Sequence, residues 1–119
     1  MIRNVTRDID IASELTYCNS FLSRGLGLMF RRSLEPDRAY IFIESKENLT
    51  STAITMLFVF FPIAIIWLDG EKRVVDKALA RPWRLVYAPD RPARYYIETH
   101  PSALDKVELG DVFTFPDPS

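Results

Sequence analysis

An almost unbroken apolar run of 16 residues, from Ala53 to Leu68, limits the folds that are open to this chain. The run is shorter than the ~20 residues that a membrane-spanning helix needs, and Pro62 lies inside it. Isoleucine, phenylalanine and valine are frequent in it, and these residues suit a pleated, buried surface. The run therefore predicts two buried strands that meet at Phe61-Pro62, in preference to a membrane-associated segment.

The composition is that of one folded domain. Of 119 residues, 48% are hydrophobic and 26% are charged, a mixture that is typical of globular proteins. No apolar stretch follows the first basic residue, so the N-terminus does not resemble a signal peptide. We predict a single soluble, cytoplasmic domain over residues 1–119, with its core at roughly 8–115.

The spacing of apolar residues predicts the elements at the start of the chain. Ile9, Ile11, Leu15 and Tyr17 alternate with polar residues, which indicates one strand over residues 8–18 with one wet face. After Asn19 the apolar residues occur in pairs four positions apart, which indicates a short helix over residues 19–30.

The rest of the chain is predicted to form mostly short strands. They are expected at residues 39–43, 53–60, 63–68, 73–79, 94–98 and 112–115, with a polar exposed loop at 45–51 and a helical turn at 102–107. Asp69-Gly70 is typical of a two-residue type I′ hairpin turn. These elements predict an α+β fold in which a mainly antiparallel sheet curls into a small barrel or roll, with one or two short helices.

Several short motifs occur in an order that resembles the domain of unknown function 192 family of small bacterial and archaeal proteins. They lie at residues 20–24, 27–31, 61–63, 68–69, 73–75, 82–84 and 93–95, and at Glu98, Gly110 and Asp111. The resemblance covers roughly residues 11–115. It implies no particular activity, because the family has no assigned reaction.

This chain departs from the family pattern at the central motif. Where the resemblance leads us to expect a proline, an apolar residue and an aspartate, the sequence is Pro62-Ile63-Ala64. The preceding residues 55–58 offer only the hydroxyl of Thr55 where the family often has a basic or polar residue. We therefore expect any chemistry that depends on that carboxylate to be lost here.

The residues that could support catalysis are few. One cysteine and one histidine exclude an internal disulfide framework and a zinc ribbon. His100 precedes Pro101 and Ser102 at a strand–helix junction, where Ser102 is expected to be the helix N-cap and no triad is expected. Cys18 is interpreted as a small buried hydrophobic residue.

Three aspartates could be imagined as a metal site or an acid–base set. Asp69 and Asp111 each adjoin a glycine, so a role in a turn is enough to explain both of them. Asp76 is then the only one of the three that is left as a candidate. We predict no metal site, no cofactor and no catalytic residue.

Charge is distributed unevenly along the chain. Lys and Arg total 15 against 16 for Asp and Glu, and this balance argues against a general nucleic-acid binder. Residues 72–94, called the basic segment below, contain seven basic and two acidic residues, with Trp83 and three tyrosines interleaved or adjoining. Residues 98–119, the acidic segment, contain five acidic residues and one lysine.

Two interpretations of this asymmetry stay open. In the simpler one, the basic residues form a solvated rim that pairs with the acidic segment, for example Arg84 with Asp111. In the other, a basic and aromatic surface around Trp83-Arg84 binds an anionic small molecule or an acidic protein. The candidate binding residues are Arg24, Arg31, Arg81, Trp83, Arg84 and Arg94.

The functional prediction is a non-enzymatic binding domain that is a monomer or a weak homodimer. The alternative is an enzyme of unrecognised reaction class with a polar site in the sheet cleft.

Overall fold

The computed structural model describes residues 1–18, 36–48, 61–81, 89 and 91–116. Within this part of the chain lie β1 (Ile2–Asn4), β2 (Ile9–Ala12), β3 (Glu14–Cys18), β4 (Arg38–Asn48), β5 (Ile63–Leu68), β6 (Val74–Ala80), β7 (Ala93–Thr99) and β8 (Phe113–Thr114), with a 3-10 helix at Pro101–Lys106 between β7 and β8.

The strands form two sheets. The large sheet has the order β3-β4-β7-β5-β6, and the small sheet has the order β2-β1-β8. Neighbouring strands are antiparallel except for β3 and β4, which run parallel. Strand β7 is central in the large sheet, because it pairs with β4 on one side and with β5 on the other.

Strand β5 is buried on both faces, as a continuous apolar sequence predicts. Ile66 and Leu68 point into a core between the large sheet, the small sheet and the 3-10 helix. Ile63, Ile65 and Trp67 point into a second core on the opposite face. The prediction of a buried strand at 63–68 is confirmed, whereas the strand predicted at 53–60 lies outside the described residues.

The predicted α+β barrel or roll is wrong. The fold is mainly β, its one described helix is the six-residue 3-10 helix, and the described strands form two sheets that do not close into a barrel. β3 and β6 lie at opposite edges of the large sheet, so they do not pair to complete a ring. The small sheet and the 3-10 helix cover one apolar face of the large sheet. The helix predicted at 19–30 lies outside the described residues.

The single strand predicted over residues 8–18 is also wrong, because the chain changes sheet at Ser13. The backbone N–H and hydroxyl of Ser13 both donate to the carboxylate of Asp37, and the N–H of Glu14 donates to the carbonyl of Asp37 at 3.0 Å. These bonds hold Ser13 at the corner between β2 and β3. A period of two continues across such a corner, so periodicity alone did not reveal it.

The turn between β5 and β6 differs from the predicted type I′ turn. Asp69 Oδ1 accepts hydrogen bonds from the N–H groups of Glu71 at 2.9 Å and Arg73 at 3.0 Å. Positive φ occurs at Lys72 (62°) and not at Asp69 or Gly70. The aspartate therefore stabilises a longer turn with its side chain. The exposed loop predicted at 45–51 is also partly wrong, since β4 continues to Asn48.

Candidate functional site

The structure describes two of the six residues predicted to bind an anion. Arg81 is exposed just beyond β6. Arg94 is half-buried in β7, with its guanidinium carbon 5.4 Å from the centre of the Tyr95 ring. The other four, Arg24, Arg31, Trp83 and Arg84, lie outside the described residues.

Strand register places Arg81 and Arg94 at opposite ends of β5. Arg81 follows Ala80, which pairs with Ile63, whereas Arg94 precedes Tyr95, which pairs with Leu68. At about 3.3 Å per strand residue, the two arginines are separated by roughly 20 Å along the sheet. One small anion cannot contact both of them.

The acidic segment does little to neutralise the basic segment within the described part of the chain. One ion pair joins them there, from Lys77 Nζ to Glu108 Oε1 at 3.8 Å. Asp111 is instead bonded to Arg7 near the N-terminus. Lys72 donates to the carbonyl of Phe115 at 3.0 Å and lies 4.2 Å from the centre of its ring.

An open groove of about 640 Å³ lies beside the β5–β6 turn. Its lining residues are Asp69, Arg73, Val74, Val75, Asp76, Arg91, Leu109 and Gly110. Arg73 and Arg91 are exposed, and neither forms an ion pair with a described residue. The backbone at the groove is held in place, because the N–H of Gly110 donates to the carbonyl of Val74 at 2.8 Å. The groove lies at the same end of the large sheet as Arg94.

Asp111 is the acceptor at the centre of a buried polar network. Its Oδ2 accepts from Asn4 Nδ2 at 2.8 Å, from Arg7 Nε at 2.7 Å and from the N–H of Glu108 at 2.9 Å. Asn4 Nδ2 also donates to the carbonyl of Lys106 at 2.9 Å. Burial opposes ionisation of Asp111, but these donors outweigh it and hold its pKa below the usual value. The network joins the N-terminal strand to the loop before β8 and has a structural role.

Glu98 is a second buried carboxyl, and its surroundings are different. It lies on β7 directly between Tyr40 of β4 and Ile65 of β5, and it is only 6% exposed. Phe42 and Tyr96 form the next cross-strand pair on the same face of the sheet, and their rings stack 4.5 Å apart. No described residue donates a hydrogen bond to the Glu98 carboxyl.

Burial raises the pKa of Glu98 to about 8. A carboxyl with this pKa is mostly neutral at pH 7 and exchanges its proton near physiological pH. Sequence reasoning used Glu98 only as part of the family resemblance and missed it as a candidate site. The available signal was an acidic residue that follows Tyr95, Tyr96 and Ile97 in a predicted strand.

His100 has a structural role that sequence reasoning gave to its neighbour. The structure places His100, and not Ser102, at the N-cap of the 3-10 helix. His100 Nδ1 accepts from the N–H of Ser102 at 3.1 Å. The expectation that Ser102 is the cap is therefore wrong, and the imidazole is engaged at the helix start.

The residues imagined as a metal site do not come together. Asp69 and Asp76 line the groove, whereas Asp111 belongs to the buried network. The described part of the chain contains no group of three or more His, Cys, Asp or Glu residues placed to hold a metal ion. Ala64 is fully buried opposite Thr99, on the face of the large sheet away from Glu98.

The described residues include no helix that is long and apolar enough to span a membrane.

Comparison with known proteins confirms the resemblance found in the sequence. Residues 3–115 match the DUF192 family, described as Uncharacterized ACR. A UPF0127 protein of Pyrococcus furiosus is 36% identical over 110 residues, which cover 91% of each chain.

Two solved structures share the fold. A Sinorhizobium meliloti protein, described as a candidate transcription regulator, aligns with a TM-score of 0.75 and 16% identity over 84% of this chain and 79% of that one. A protein of unknown function from Novosphingobium aromaticivorans aligns with a TM-score of 0.76 and 21% identity over 85% of this chain and 74% of that one. Identities this low establish the likeness of the fold alone.

Proposed function

Because the chain belongs to the DUF192 family of uncharacterised proteins, which supplies no reaction, we propose a function from its charged surface: a non-enzymatic domain that binds an acidic partner through the basic segment. The proposed contact residues are those identified from the sequence, namely Arg24, Arg31, Arg81, Trp83, Arg84 and Arg94. A cytoplasmic location and a monomeric or weakly dimeric state stay predictions from the sequence.

The observation that carries this proposal is that, among the described residues, the acidic segment forms few ion pairs with the basic segment. If its positive charges existed only to pair with the acidic segment, several ion pairs between the two would be expected. The described residues of the two segments form one, at the long distance of 3.8 Å. Asp111, the partner suggested for Arg84, is bonded to Arg7 and Asn4 instead. With seven basic and two acidic residues, the basic segment has a net positive charge, which favours association with acidic surfaces.

The separation of Arg81 and Arg94 favours an extended partner over a small anion. A strand-like peptide needs about seven residues to span roughly 20 Å. An acidic protein segment of that length contacts both arginines at once, and Trp83 would add a rigid aromatic contact next to Arg84. Nucleic acid has the same charge, but the overall charge of −1 disfavours it.

Fluorescence anisotropy with a labelled ten-residue oligoglutamate peptide tests the proposal. We expect binding that weakens steeply as salt is raised from 50 to 300 mM. Arg81→Gln and Arg84→Gln should each weaken binding by about three- to tenfold, and Arg94→Gln should do the same at the other end of the sheet.

The matched control is Arg3→Gln, which removes an exposed arginine on β1 that pairs with Asp8 and Asp10. This variant should bind the peptide like the wild type. Equal weakening by Arg3→Gln and Arg84→Gln would contradict a specific surface. Tighter binding of a ten-nucleotide RNA than of oligoglutamate would replace the acidic protein with nucleic acid as the partner.

A second candidate function, acid–base chemistry at Glu98, is favoured by one specific observation. This carboxyl is buried, receives no hydrogen bond from a described residue and has a pKa raised to about 8. A general acid or base works best when its pKa lies near the operating pH. Perturbed carboxyls of this kind occur often at functional sites.

Glu98→Gln tests the second candidate, since glutamine keeps the shape and removes the titration. A panel of hydrolase and isomerase substrates would be assayed with both proteins across pH 5 to 10. We expect any activity to follow an apparent pKa near 8 and to fall at least about 100-fold in the variant. An activity that Glu98→Gln retains would exclude Glu98 as its acid or base.

A further inference from the structure

Strand β6 forms one edge of the large sheet. It pairs with β5 on one side, and the other side is called the outer edge below. The described residues form backbone hydrogen bonds with the outer edge only at its start, where Val74 bonds to Gly110 and Asp111. Residues 75–79 are half-buried or exposed, whereas β5 is buried throughout. Such an edge presents backbone groups that a strand of another chain can pair with.

The Lys77 N–H shows which backbone groups of β6 face outward. It donates to Asp76 Oδ1 at 2.8 Å, so it is not directed at β5. Because the direction of the backbone groups alternates along a strand, the N–H of Leu79 also faces outward, whereas that of Ala78 faces β5. A register shift at the start of β6 allows Val74 to face outward as well.

The sequence along the outer edge is self-complementary. When two antiparallel copies of β6 are aligned on Lys77, Val75 of each copy lies opposite Leu79 of the other. Apolar cross-strand pairs stabilise a sheet, and Leu79 is 38% exposed in the single chain. In this alignment each Lys77 donates its N–H to the carbonyl of the other Lys77, which gives the two central hydrogen bonds. The partner that this edge fits is therefore a second copy of the chain.

The side chain of Lys77 does not oppose this alignment. Its ammonium group donates to the carbonyls of Leu104 at 3.2 Å and Val107 at 2.7 Å, at the end of the 3-10 helix. The group is therefore directed at the helix and not across the outer edge. Repulsion between the two lysines is thus not what separates two copies.

Asp76 is the group that competes with a second copy. Its Oδ1 already accepts the Lys77 N–H, so the donor of each central hydrogen bond is engaged within its own chain. Charged side chains and bulges are common protections of sheet edges, and β6 has both. We propose that Asp76 blocks the outer edge of β6 against pairing with a second copy of this chain. The proposal does not depend on the binding of an acidic partner.

Hydrogen exchange of the wild-type protein tests whether the outer edge is open. The Leu79 amide should exchange at least about 100-fold faster than the amide of Ile66, which lies in β5 between two paired strands. The Lys77 amide, bonded to Asp76, should exchange more slowly than that of Leu79. Equal protection of Leu79 and Ile66 would mean that the edge is already paired, and the proposal would be overturned.

Asp76→Ala removes the acceptor and frees the Lys77 N–H. Sedimentation velocity at up to about 200 µM protein, where a dimer with a Kd of about 10 µM is mostly formed, measures self-association. We expect Asp76→Ala to self-associate at least about tenfold more tightly than the wild type, because two hydrogen bonds and two apolar pairs become available together. Asp76→Asn is the matched control, since its amide oxygen keeps an acceptor, and it should behave like the wild type.

A second substitution locates the contact between copies. Leu79→Lys, added to Asp76→Ala, should restore the wild-type association constant, because a charge then lies opposite Val75. Circular dichroism of each variant would verify that it folds. Equal self-association of Asp76→Ala and the wild type would overturn the proposal, as would equally tight association of Asp76→Asn and Asp76→Ala, or a dimer that Leu79→Lys leaves intact. The exchange measurement needs no variant, so it can overturn the proposal even where a variant does not fold.

Discussion

Glu98 and Asp111 are both buried carboxyl groups, yet their surroundings shift their pKa values in opposite directions. Asp111, where the small sheet meets the loop before β8, accepts hydrogen bonds from Asn4, Arg7 and the backbone of Glu108. Glu98, on the central strand of the large sheet, is surrounded by Tyr40, Ile65 and Tyr96 on its face. The pKa is lowered at Asp111 and raised at Glu98.

The difference shows that donors, and not burial alone, decide the charge of a buried acid. At Asp111 the ionised form is stabilised, so the carboxylate contributes to folding. At Glu98 the ionised form is disfavoured, so a neutral carboxyl is retained at a cost that rises with pH. A buried acid with donors is explained by structure, and one without described donors is the better candidate for function.

The largest expected effect is the loss of the Asp111 network. Asp111→Ala removes the shared acceptor from three donors, two of which lie in part-buried positions. We expect the free energy of unfolding to fall by about 3 kcal/mol, measured by denaturant unfolding at pH 7.

Asp105→Ala is the control, since Asp105 is an exposed aspartate of the 3-10 helix. It should change stability by less than about 0.5 kcal/mol. Equal effects of the two substitutions would mean that the Asp111 network does not hold the N-terminal strand.

Glu98→Gln should raise the free energy of unfolding, whereas Asp111→Ala should lower it. The unfolded carboxyl titrates near its ordinary pKa of 4.5 and the folded one near 8. The folded state therefore binds more protons between these values, so wild-type stability falls as pH rises from about 4.5 to about 8. We expect Glu98→Gln to be about 4 kcal/mol more stable than the wild type at pH 8, with little difference at pH 4.5.

Thermal unfolding of both proteins from pH 4 to pH 9 measures this difference. Parallel stability curves across the whole range would show that Glu98 is not held neutral in the folded protein. In that case the contrast between the two carboxyls would disappear.

The smallest effect is expected at the exposed side of the network. The side chain of Arg7 is 45% exposed, so its bond to Asp111 should contribute only about 1 kcal/mol, less than a fully buried pair. The lowered pKa of Asp111 means that its stabilisation is present above pH 4 and lost as pH falls through the folded pKa.

Arg7→Ala should raise the pKa of Asp111 and so move the acid loss of stability to higher pH. Acid unfolding of Arg7→Ala and of the control Arg3→Ala between pH 2 and pH 6 measures the shift. Coincident curves for the two variants would remove Arg7 from the set of groups that stabilise the Asp111 carboxylate.

The basic segment could be predicted from the sequence, whereas the groove beside the β5–β6 turn could not. The basic segment is a property of consecutive residues, so its charge was countable before any fold was known. The groove was not predictable, because Arg73 and Arg91 adjoin Leu109 and Gly110 only after the loop before β8 packs beside β6.

The sequence by itself determined the family, the buried strand β5 and the approximate positions of β6, β7 and β8. These depend on motifs and on local alternation of side chains, which every strand carries whatever its partners are. It also indicated the turn after β5, though not its type, since Asp69 acts through its side chain.

Only the tertiary structure decided how the strands associate and which acids are stabilised. The change of sheet at Ser13 depends on Asp37, 24 residues away, and the parallel pairing of β3 with β4 has no signature in either strand. Asp111 and Asn4 are likewise 107 residues apart. Hydrogen-bond partners at such separations are selected by the packing of whole layers, so the ionisation of Glu98 and Asp111 followed from the fold and not from their neighbours in the chain.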